Sequence, residues 1–255
     1  MILRSASTGL QTLPQQFTLV LIILMFSINI PKNTQAQDSV YRTKHSAVIF
    51  PFPMFHEKWR SSIGFTLMTT PEDITEEVRL RIPCGDFRVL RRINNAFNLE
   101  GRVMFQILQN HVSAGIHYRK AITDKLYFSA GNDIGYWFGF LNVGGFNSRG
   151  RGILDYPNLS VGYRTNNNLL ITFKTQVSLN LDYKAINGEN TFTSKKNFYN
   201  GETFTLALEQ PFWNKKHLTL AASTIYNYFY WQTWSLFYKT NRKVFYPQIT
   251  VGLIL

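Results

Sequence analysis

Residues 169–183 alternate apolar and polar side chains along their whole length. A period of two places successive side chains on opposite faces of a β-strand, so this segment predicts a strand with one apolar and one polar face. The first face carries Leu169, Ile171, Phe173, Thr175, Val177, Leu179, Leu181 and Tyr183, and the second carries Thr172, Lys174, Gln176, Ser178, Asn180 and Asp182. One face therefore suits lipid and the other suits water.

The same alternation recurs along most of the chain. It is found in residues 59–69, 76–83, 97–107, 111–119, 126–134, 154–164, 169–183, 199–209, 217–228 and 244–255. Strands of roughly 9 to 15 residues are long for a soluble sandwich but suit tilted strands that cross a bilayer. The fold class predicted is all-β, an antiparallel up-and-down transmembrane β-barrel of about ten strands, with a range of roughly eight to twelve.

The connections and the aromatic residues favour the same architecture. Predicted long loops at 140–153, 184–198 and 232–243 alternate with shorter ones at 122–124, 165–168 and 210–216, as in barrels with short periplasmic turns and long external loops. Aromatic residues cluster near the expected outer strand ends, where an interfacial girdle forms. They are Tyr136, Trp137, Phe138, Phe140, Tyr226, Tyr228, Tyr230, Trp231 and Trp234.

The N-terminus has the outline of a signal peptide. Arg4 precedes an apolar run at residues 17–30, which is shorter than the roughly 20 residues that span a bilayer as a helix. Thr34 and Ala36 provide the small residues of a cleavage site before Gln37. The predicted organisation is a signal peptide at residues 1–36, an N-terminal extension or additional strand at 37–58, and the barrel at 59–255.

With these features the chain resembles the Gram-negative outer-membrane β-barrels, whose C-terminal strand is recognised by the outer-membrane assembly machinery. Here Ile249, Val251, Leu253 and Leu255 share one face of the last strand. The resemblance implies residence in the outer membrane, with its lipid and lipopolysaccharide as partners, and leaves the oligomeric state open. A soluble exported barrel that binds a lipophilic ligand is an alternative, because alternation does not tell which face points inward.

The polar faces predict a lumen lined by charges of both signs. The expected lumen-lining residues are Glu100, Arg102, His117, Arg119, Asp133, Arg164, Lys174, Asp182 and Glu209. Ten strands enclose a space that side chains largely fill, so the charges form either a polar plug or a narrow path for a small anion. The expected function is a narrow channel, a transport component or a structural envelope protein, with neither metal nor cofactor.

The chain is strongly basic, with a formal net charge of +12. Cleavage after Ala36 removes Arg4 and Lys32, which leaves 25 basic against 15 acidic residues, or +10. The basic residues are scattered and form no nucleic-acid-binding motif, so no nucleic-acid partner is expected. In the predicted loops they are either solvated or paired with lipopolysaccharide phosphates, and they include Arg149, Arg151, Lys195, Lys196, Lys239, Arg242 and Lys243.

His111 and Ser113 form a His-x-Ser pair that resembles the motif of outer-membrane lipid A deacylases. With Ile122–Asp124 as a three-residue loop, Asp133 would lie opposite Ser113 and complete the ingredients of an activated serine. The alternation turns this set towards the lumen, whereas a lipid hydrolase needs its serine on the bilayer side. A non-enzymatic protein is therefore expected, and a deacylase-like hydrolase is kept as an alternative.

Gln109-Asn110 suggests a two-residue hairpin. In that register Glu100 would face Arg119 across the lumenal side and form an opposite-charge pair. Arg102 would likewise face His117.

Overall fold

The computed structural model describes residues 47–49, 52–54, 58–71, 81–143, 146–187, 190–193, 198–213, 216–233 and 242–255. The predicted signal peptide lies outside these residues. All of them belong to one compact unit, Lys44–Leu255. No helix among them is long and apolar enough to cross a membrane.

The described chain is almost entirely β-strand. The strands are β1 (Ala47–Ile49), β2 (Phe52–Met54), β3 (Trp59–Thr69), β4 (Arg81–Arg92), β5 (Phe97–Phe105), β6 (Gln109–Ala121), β7 (Leu126–Val143), β8 (Phe146–Arg164), β9 (Leu170–Asn187), β10 (Asn190–Thr193), β11 (Tyr199–Trp213), β12 (Lys216–Asn227) and β13 (Val244–Ile254). A single 3-10 turn, Trp231–Thr233, lies between β12 and β13.

Ten of these strands close into a ring. The main sheet has eleven strands, of which β10 pairs with β9 alone, and β8 pairs with β9 to complete the ring. β13 pairs with β3 from Gln248↔Met68 to Ile254↔Ser62, which joins the last strand to the first. All neighbours in the ring are antiparallel. The predicted fold class, an antiparallel barrel of about ten strands, is confirmed.

The short strands β1 and β2 form a two-stranded sheet of their own, separate from the sheet of the ring. They fall in the segment 37–58, for which an extension or an additional strand was expected. Most of that segment lies outside the described residues, so its boundary stays a prediction.

The outer surface of the ring is predominantly apolar. Exposed apolar side chains occur on all ten ring strands, among them Phe65, Phe87, Leu99, Ile116, Ile134, Leu159, Phe173, Leu206, Leu218 and Val251. Buried polar side chains face the interior from the alternating positions, for example Thr66, Asp86, His117 and Thr172. A soluble barrel with a lipophilic ligand would have the reverse arrangement, so the structure contradicts that alternative. An apolar outside and a polar inside are the pattern of transmembrane barrels.

The two ends of the barrel differ. At one end, here called the turn end, adjacent strands are joined by tight turns at residues 93–96, 122–125 and 165–169. Asn168 in the last of these has a φ of 59°, a left-handed conformation that asparagine tolerates. At the opposite loop end, β7 and β8 continue to Val143 and Phe146. The predicted long loop at 140–153 is therefore wrong, because that segment is a paired β-hairpin.

The register between β5 and β6 also differs from the prediction. The turn comprises Gln106–Gln109, with a backbone bond from Gln106 N to Gln109 O of 3.1 Å and a side-chain bond from Gln106 Nε2 to Gln109 Oε1 of 2.7 Å. Ile107 projects from its tip. Glu100 consequently pairs with Gly115 and Arg102 with Ser113, so the expected Glu100–Arg119 and Arg102–His117 pairs are not formed.

A bulge in β9 reverses the faces near its loop end. Ile153 pairs with Asp182 and Leu154 with Asn180, so Leu181 has no partner residue on β8. Beyond this extra residue, Tyr183 is buried and points inward while Asp182 is exposed. Tyr183 and Asp182 thus lie on the opposite faces from those that simple alternation predicts.

Candidate functional site

The inner wall of β4 and β5 holds a buried carboxylate between two guanidinium groups. Arg102 donates from Nη2 to Asp86 Oδ2 at 2.7 Å and from Nε to Oδ1 at 2.8 Å. Arg88 donates to the same two oxygens at 3.1 and 3.3 Å. Both contacts are bidentate, the strongest arrangement for an arginine and a carboxylate. Alternation along β4 and β5 places all three side chains on the inward face.

The cluster continues across β6, β7 and β8. Arg88 Nη1 lies 3.5 Å from Glu100 Oε1, and His117 Nε2 lies 3.6 Å from Glu100 Oε2 and 2.8 Å from Asp133 Oδ1. Asn158 Nδ2 donates to Asp133 Oδ2 at 2.9 Å. We refer to Asp86, Arg88, Glu100, Arg102, His117 and Asp133 as the ion network.

Glycines make room for this network. Gly115 pairs with Asp133, and Gly131 pairs with His117. A Cβ at Gly115 would overlap the Asp133 carboxylate, and one at Gly131 would overlap the His117 ring. The two side chains therefore lie flat across the neighbouring strands, where they reach each other.

Glu100, His117 and Asp133 also form the set of side chains with the spacing of metal ligands among the described residues. One ligand atom from each lies within 4.8 Å of the others. Arg88 is in contact with Glu100, and Lys174 is buried on the same inner wall. In this arrangement cations of the protein already neutralise the carboxylates. The expectation that the protein holds no metal stays a prediction.

A second buried charge cluster lies nearer the turn end. Glu209 Oε1 and His217 Nδ1 are 2.7 Å apart and both side chains are buried. Arg60 and Arg119 are also buried, and the Arg164 guanidinium lies 5.7 Å from the centre of the Tyr127 ring. Arg119 donates to the carbonyl oxygen of Asn94 at 2.9 Å, in the turn between β4 and β5. Arg119 therefore stabilises a turn and has no contact with Glu100.

At the loop end, residues 228–233 fold into the barrel, and we call them the plug. The Asn200 side chain accepts a bond from Phe229 N at 3.0 Å and donates to Phe229 O at 2.7 Å. The Phe229 ring packs against Trp137 and Tyr183, with centroid distances of 5.2 and 4.8 Å. Trp231 stacks on His111 at 5.1 Å.

The plug corrects the predicted aromatic girdle. Tyr230 donates to Gln248 Oε1 at 2.8 Å, and Trp137 and Trp231 are buried in one interior cluster. Tyr136, Phe138, Phe140 and Tyr226 are exposed on the outside, as a girdle requires. Trp234 lies outside the described residues. Aromatic composition alone did not separate the two sets, because aromatic residues favour both interfaces and barrel interiors.

A cavity of about 80 Å³ lies between the plug and the ion network. This volume holds a few water molecules but not a sugar or a hydrocarbon. One wall carries the charged side chains of Arg88, Glu100, Arg102, Asp133 and Lys174. The facing wall, from β11 to β13, carries the uncharged groups of Thr203, Thr205, Ser223, Gln248 and Thr250.

The structure places eight of the nine expected lumenal residues on inward-facing positions. These are Glu100, Arg102, His117, Arg119, Asp133, Arg164, Lys174 and Glu209. Asp182 is exposed outside, because the β9 bulge precedes it. The sequence interpretation missed Asp86 and Arg88, since it put the second strand at 76–83 instead of Arg81–Arg92. The alternation Asp86-Phe87-Arg88-Val89 was the signal that marked them.

The three residues of the candidate triad do not assemble. The turn between β6 and β7 is closed by a backbone bond from Ile122 N to Leu126 O, whereas a three-residue loop at 122–124 would place the closing pair one residue earlier on β6 and β7. In the observed register Ser113 faces Gly135, and Asp133 faces Gly115. His111 Nε2 lies 3.3 Å from the Tyr156 hydroxyl, and the Asp133 carboxylate is bonded to His117 and Asn158. Ser113 lines the cavity beneath the plug.

A closed antiparallel ring, an apolar outer surface and an interior that holds charged side chains and the plug together define a transmembrane β-barrel. No protein-family model matches the chain, and no curated protein sequence matches it.

The solved structures to which the chain is similar include the following three barrels. The first is the KdgM porin, with a TM-score of 0.38, 11% identity, and coverage of 76% of this chain and 97% of that one. The second is Neisserial surface protein A (NspA), with a TM-score of 0.39, 10% identity, and coverage of 78% of this chain and 97% of that one. The third is outer membrane phospholipase A from Escherichia coli, with a TM-score of 0.33, 8% identity, and coverage of 77% of this chain and 92% of that one. These likenesses concern the fold alone.

Proposed function

We propose that this protein is a narrow outer-membrane channel for small inorganic ions, which the plug holds closed. The observation that carries the proposal is the water-sized polar cavity beneath a plug built from one loop. The ring strands are fixed by continuous ladders of backbone bonds. Among the described residues the plug has one backbone bond to them, from Tyr228 N to Asn200 O at 2.9 Å, and residues 229–233 contact them through side chains such as Asn200, Trp231 and Tyr230. Residues 229–233 of the plug can therefore move without unpairing the barrel.

The arrangement of charges supports conduction along one side of the lumen. At the level of the cavity, fixed charges of both signs lie on β4–β9, and hydroxyl and amide groups lie on β11–β13. Nearer the turn end, β11 and β12 carry the buried Glu209–His217 pair. An ion that passes the second wall meets dipoles that replace part of its hydration shell, and it need not break the ion pairs opposite. A structural barrel without a conducting role has no need of this uncharged wall.

The balance of inward charge favours anions. Arg60, Arg88, Arg92, Arg102, Arg119, Arg164 and Lys174 face inward, against Asp86, Glu100, Asp133 and Glu209. Because seven cations oppose four carboxylates among the inward-facing residues that the structure describes, their mean potential in the lumen is positive, which concentrates anions. The proposed substrate class is small inorganic anions.

The same geometry disfavours a hydrolase. Ser113 faces the lumen beneath the plug and His111 is engaged by Trp231 and Tyr156. The described residues leave no opening through which an acyl chain in the bilayer would reach that hydroxyl group.

Export with cleavage near Ala36 remains part of the proposal, since residues 1–46 lie outside the described part of the chain.

Conductance in planar bilayers tests the channel. We expect the wild type to show small, infrequent openings, and Asn200→Ala with Trp231→Ala to open more often, because both plug anchors are lost. Asn142→Ala, an exposed asparagine at the tip of the β7–β8 hairpin, is the matched control and should behave as wild type. A salt gradient should give a reversal potential of the sign expected for anions. If the anchor variant conducts no more than the wild type, the protein is a structural barrel.

A further inference from the structure

Strands β7, β8 and β9 are longer than a bilayer requires. They contain 18, 19 and 18 residues. At about 3.3 Å per residue and a tilt of about 40°, such strands extend about 45 Å, whereas the apolar band of an outer-membrane barrel is about 25 Å tall. On the outward face of β8, the stretch from Tyr163 to Ile153 already covers about 25 Å. The outward residues beyond Ile153 therefore lie above the hydrocarbon.

Three basic side chains follow at this level on the outside of the barrel. Arg151 pairs with Lys184 on β9, and Arg149 lies one outward position further from the membrane on β8. Arg149 and Arg151 are exposed and Lys184 is half-buried. Lys184 points outward because the β9 bulge reverses the faces. We call these three residues the basic patch.

The basic patch has no counter-ion among the described residues. No ion pair or hydrogen bond connects Arg149, Arg151 or Lys184 with a described side chain. Asp182 is the nearest outward carboxylate along the strand, one outward position closer to the membrane and opposite Ile153. Three cations against one carboxylate leave an excess of two positive charges.

An aromatic row borders the basic patch. Phe138 pairs with Arg151 and Phe140 with Arg149, and both phenylalanine rings are exposed on the outside. Tyr136 stacks on Phe138 with a centroid distance of 5.7 Å. Cationic groups therefore lie beside aromatic groups at the boundary between the hydrocarbon and the head groups.

We propose that the basic patch binds the phosphate groups of a phosphorylated glycolipid of the outer leaflet, that is, of lipopolysaccharide. Guanidinium groups offer paired donors that match a phosphate, and the ammonium group of Lys184 adds a further charge. A lipid is the occupant because the patch lies on the outward face, directly above the apolar belt, with aromatic side chains placed to contact its sugars and acyl chains. The inference rests on the proposed outer-membrane location, with the loop end facing outward.

The test compares lipids that differ in phosphate alone. The purified full-length mature barrel in detergent is titrated with bisphosphorylated lipid A and with dephosphorylated lipid A, and binding is followed by native mass spectrometry. We expect the dephosphorylated lipid to bind at least tenfold more weakly. The variant Arg149→Gln/Arg151→Gln/Lys184→Gln should lose the same factor for lipid A and show no difference between the two lipids.

The matched control is Lys58→Gln/Lys120→Gln/Lys125→Gln, which removes three exposed basic residues from the turn end. It should bind lipid A as the wild type does, and a heat-modifiability gel confirms that each variant is folded. Wild-type binding by the patch variant would overturn the proposal. Loss of binding in EDTA would also overturn it, because a cation bridged through Asp182 would then hold the lipid.

This measurement is separate from the channel experiment, because none of the substituted residues contacts the plug. A barrel that conducts but ignores lipid phosphates leaves the channel standing and removes the lipid site. A barrel that binds lipid A but never conducts leaves the lipid site standing and removes the channel. Inorganic phosphate at millimolar concentration should compete poorly, since it lacks the aromatic and apolar contacts.

Discussion

At the scale of single residues, the interior is organised around Asp86. Its two oxygens accept four hydrogen bonds from Arg88 and Arg102, and all three groups are removed from bulk water to a large extent. A buried pair of this kind contributes little net stability compared with apolar packing, but removal of one partner leaves an uncompensated charge. Asp86 therefore matters because two cations depend on it.

We expect Asp86→Asn to destabilise the folded barrel by about 3–5 kcal/mol, since Arg88 and Arg102 lose their shared carboxylate. Adding Arg102→Met should recover part of this loss. The matched control Asp182→Asn, on the exposed outer surface, should change stability by less than about 0.5 kcal/mol. Urea unfolding in lipid vesicles, followed by tryptophan fluorescence, gives these differences. Additive losses in the double variant would contradict the shared role of Asp86.

At the scale of strands, faces were predictable and partners were not. Glu100 was expected opposite Arg119 and lies opposite Gly115, a shift of four residues on β6. An even shift leaves every side chain on its predicted face, which is why Glu100, Arg102, His117 and Arg119 all point inward. The turn was misplaced because Ile107 and Leu108 are apolar and lack the usual turn residues.

A shift by an odd number of residues moves the following side chains to the other face of the strand. The one-residue bulge in β9 produces such a shift. Alternation from Leu169 predicts the faces correctly as far as Asn180, and then Leu181 inserts and the faces exchange. Nothing in residues 169–183 marks the bulge, since both alternations remain chemically acceptable there. The plug was not predicted either. Residues 228–233 follow the end of β12, and alternation of side chains does not indicate where a loop folds.

Cysteine labelling tests this bulge. In a Cys84→Ala background, Asp182→Cys should react with a membrane-impermeant maleimide at least tenfold faster than Tyr183→Cys, because residue 182 is exposed and residue 183 packs against Phe229 and Trp137. Strand β8 supplies the control above the apolar belt, with Arg151→Cys exposed on the outside and Ser148→Cys buried inside. Faster reaction at position 183 than at 182 would mean that the strand continues without a bulge.

At the scale of the whole molecule, the direction of the apolar face decides what kind of barrel this is. Exposed phenylalanine, leucine, isoleucine and valine surround the ring, while its interior holds charges and a plug. In water this outer surface would drive association, since soluble monomers rarely expose apolar patches larger than a few hundred Å². In a bilayer the same surface stabilises the inserted state, and closure of the ring pairs the last strand, β13, with the first, β3.

Leu159 is suited to measure this stabilisation, because it lies outward between Tyr163 and Ile153, near the middle of the apolar belt, and is 49% exposed. We expect Leu159→Arg to destabilise the barrel in lipid vesicles by about 2–4 kcal/mol, the cost of a cation near the bilayer midplane. Asn142→Arg, above the belt, should cost less than about 1 kcal/mol. The two variants add the same charge to outward positions on adjacent strands, so depth is the main difference between them. Equal effects would show that the outer surface does not face lipid.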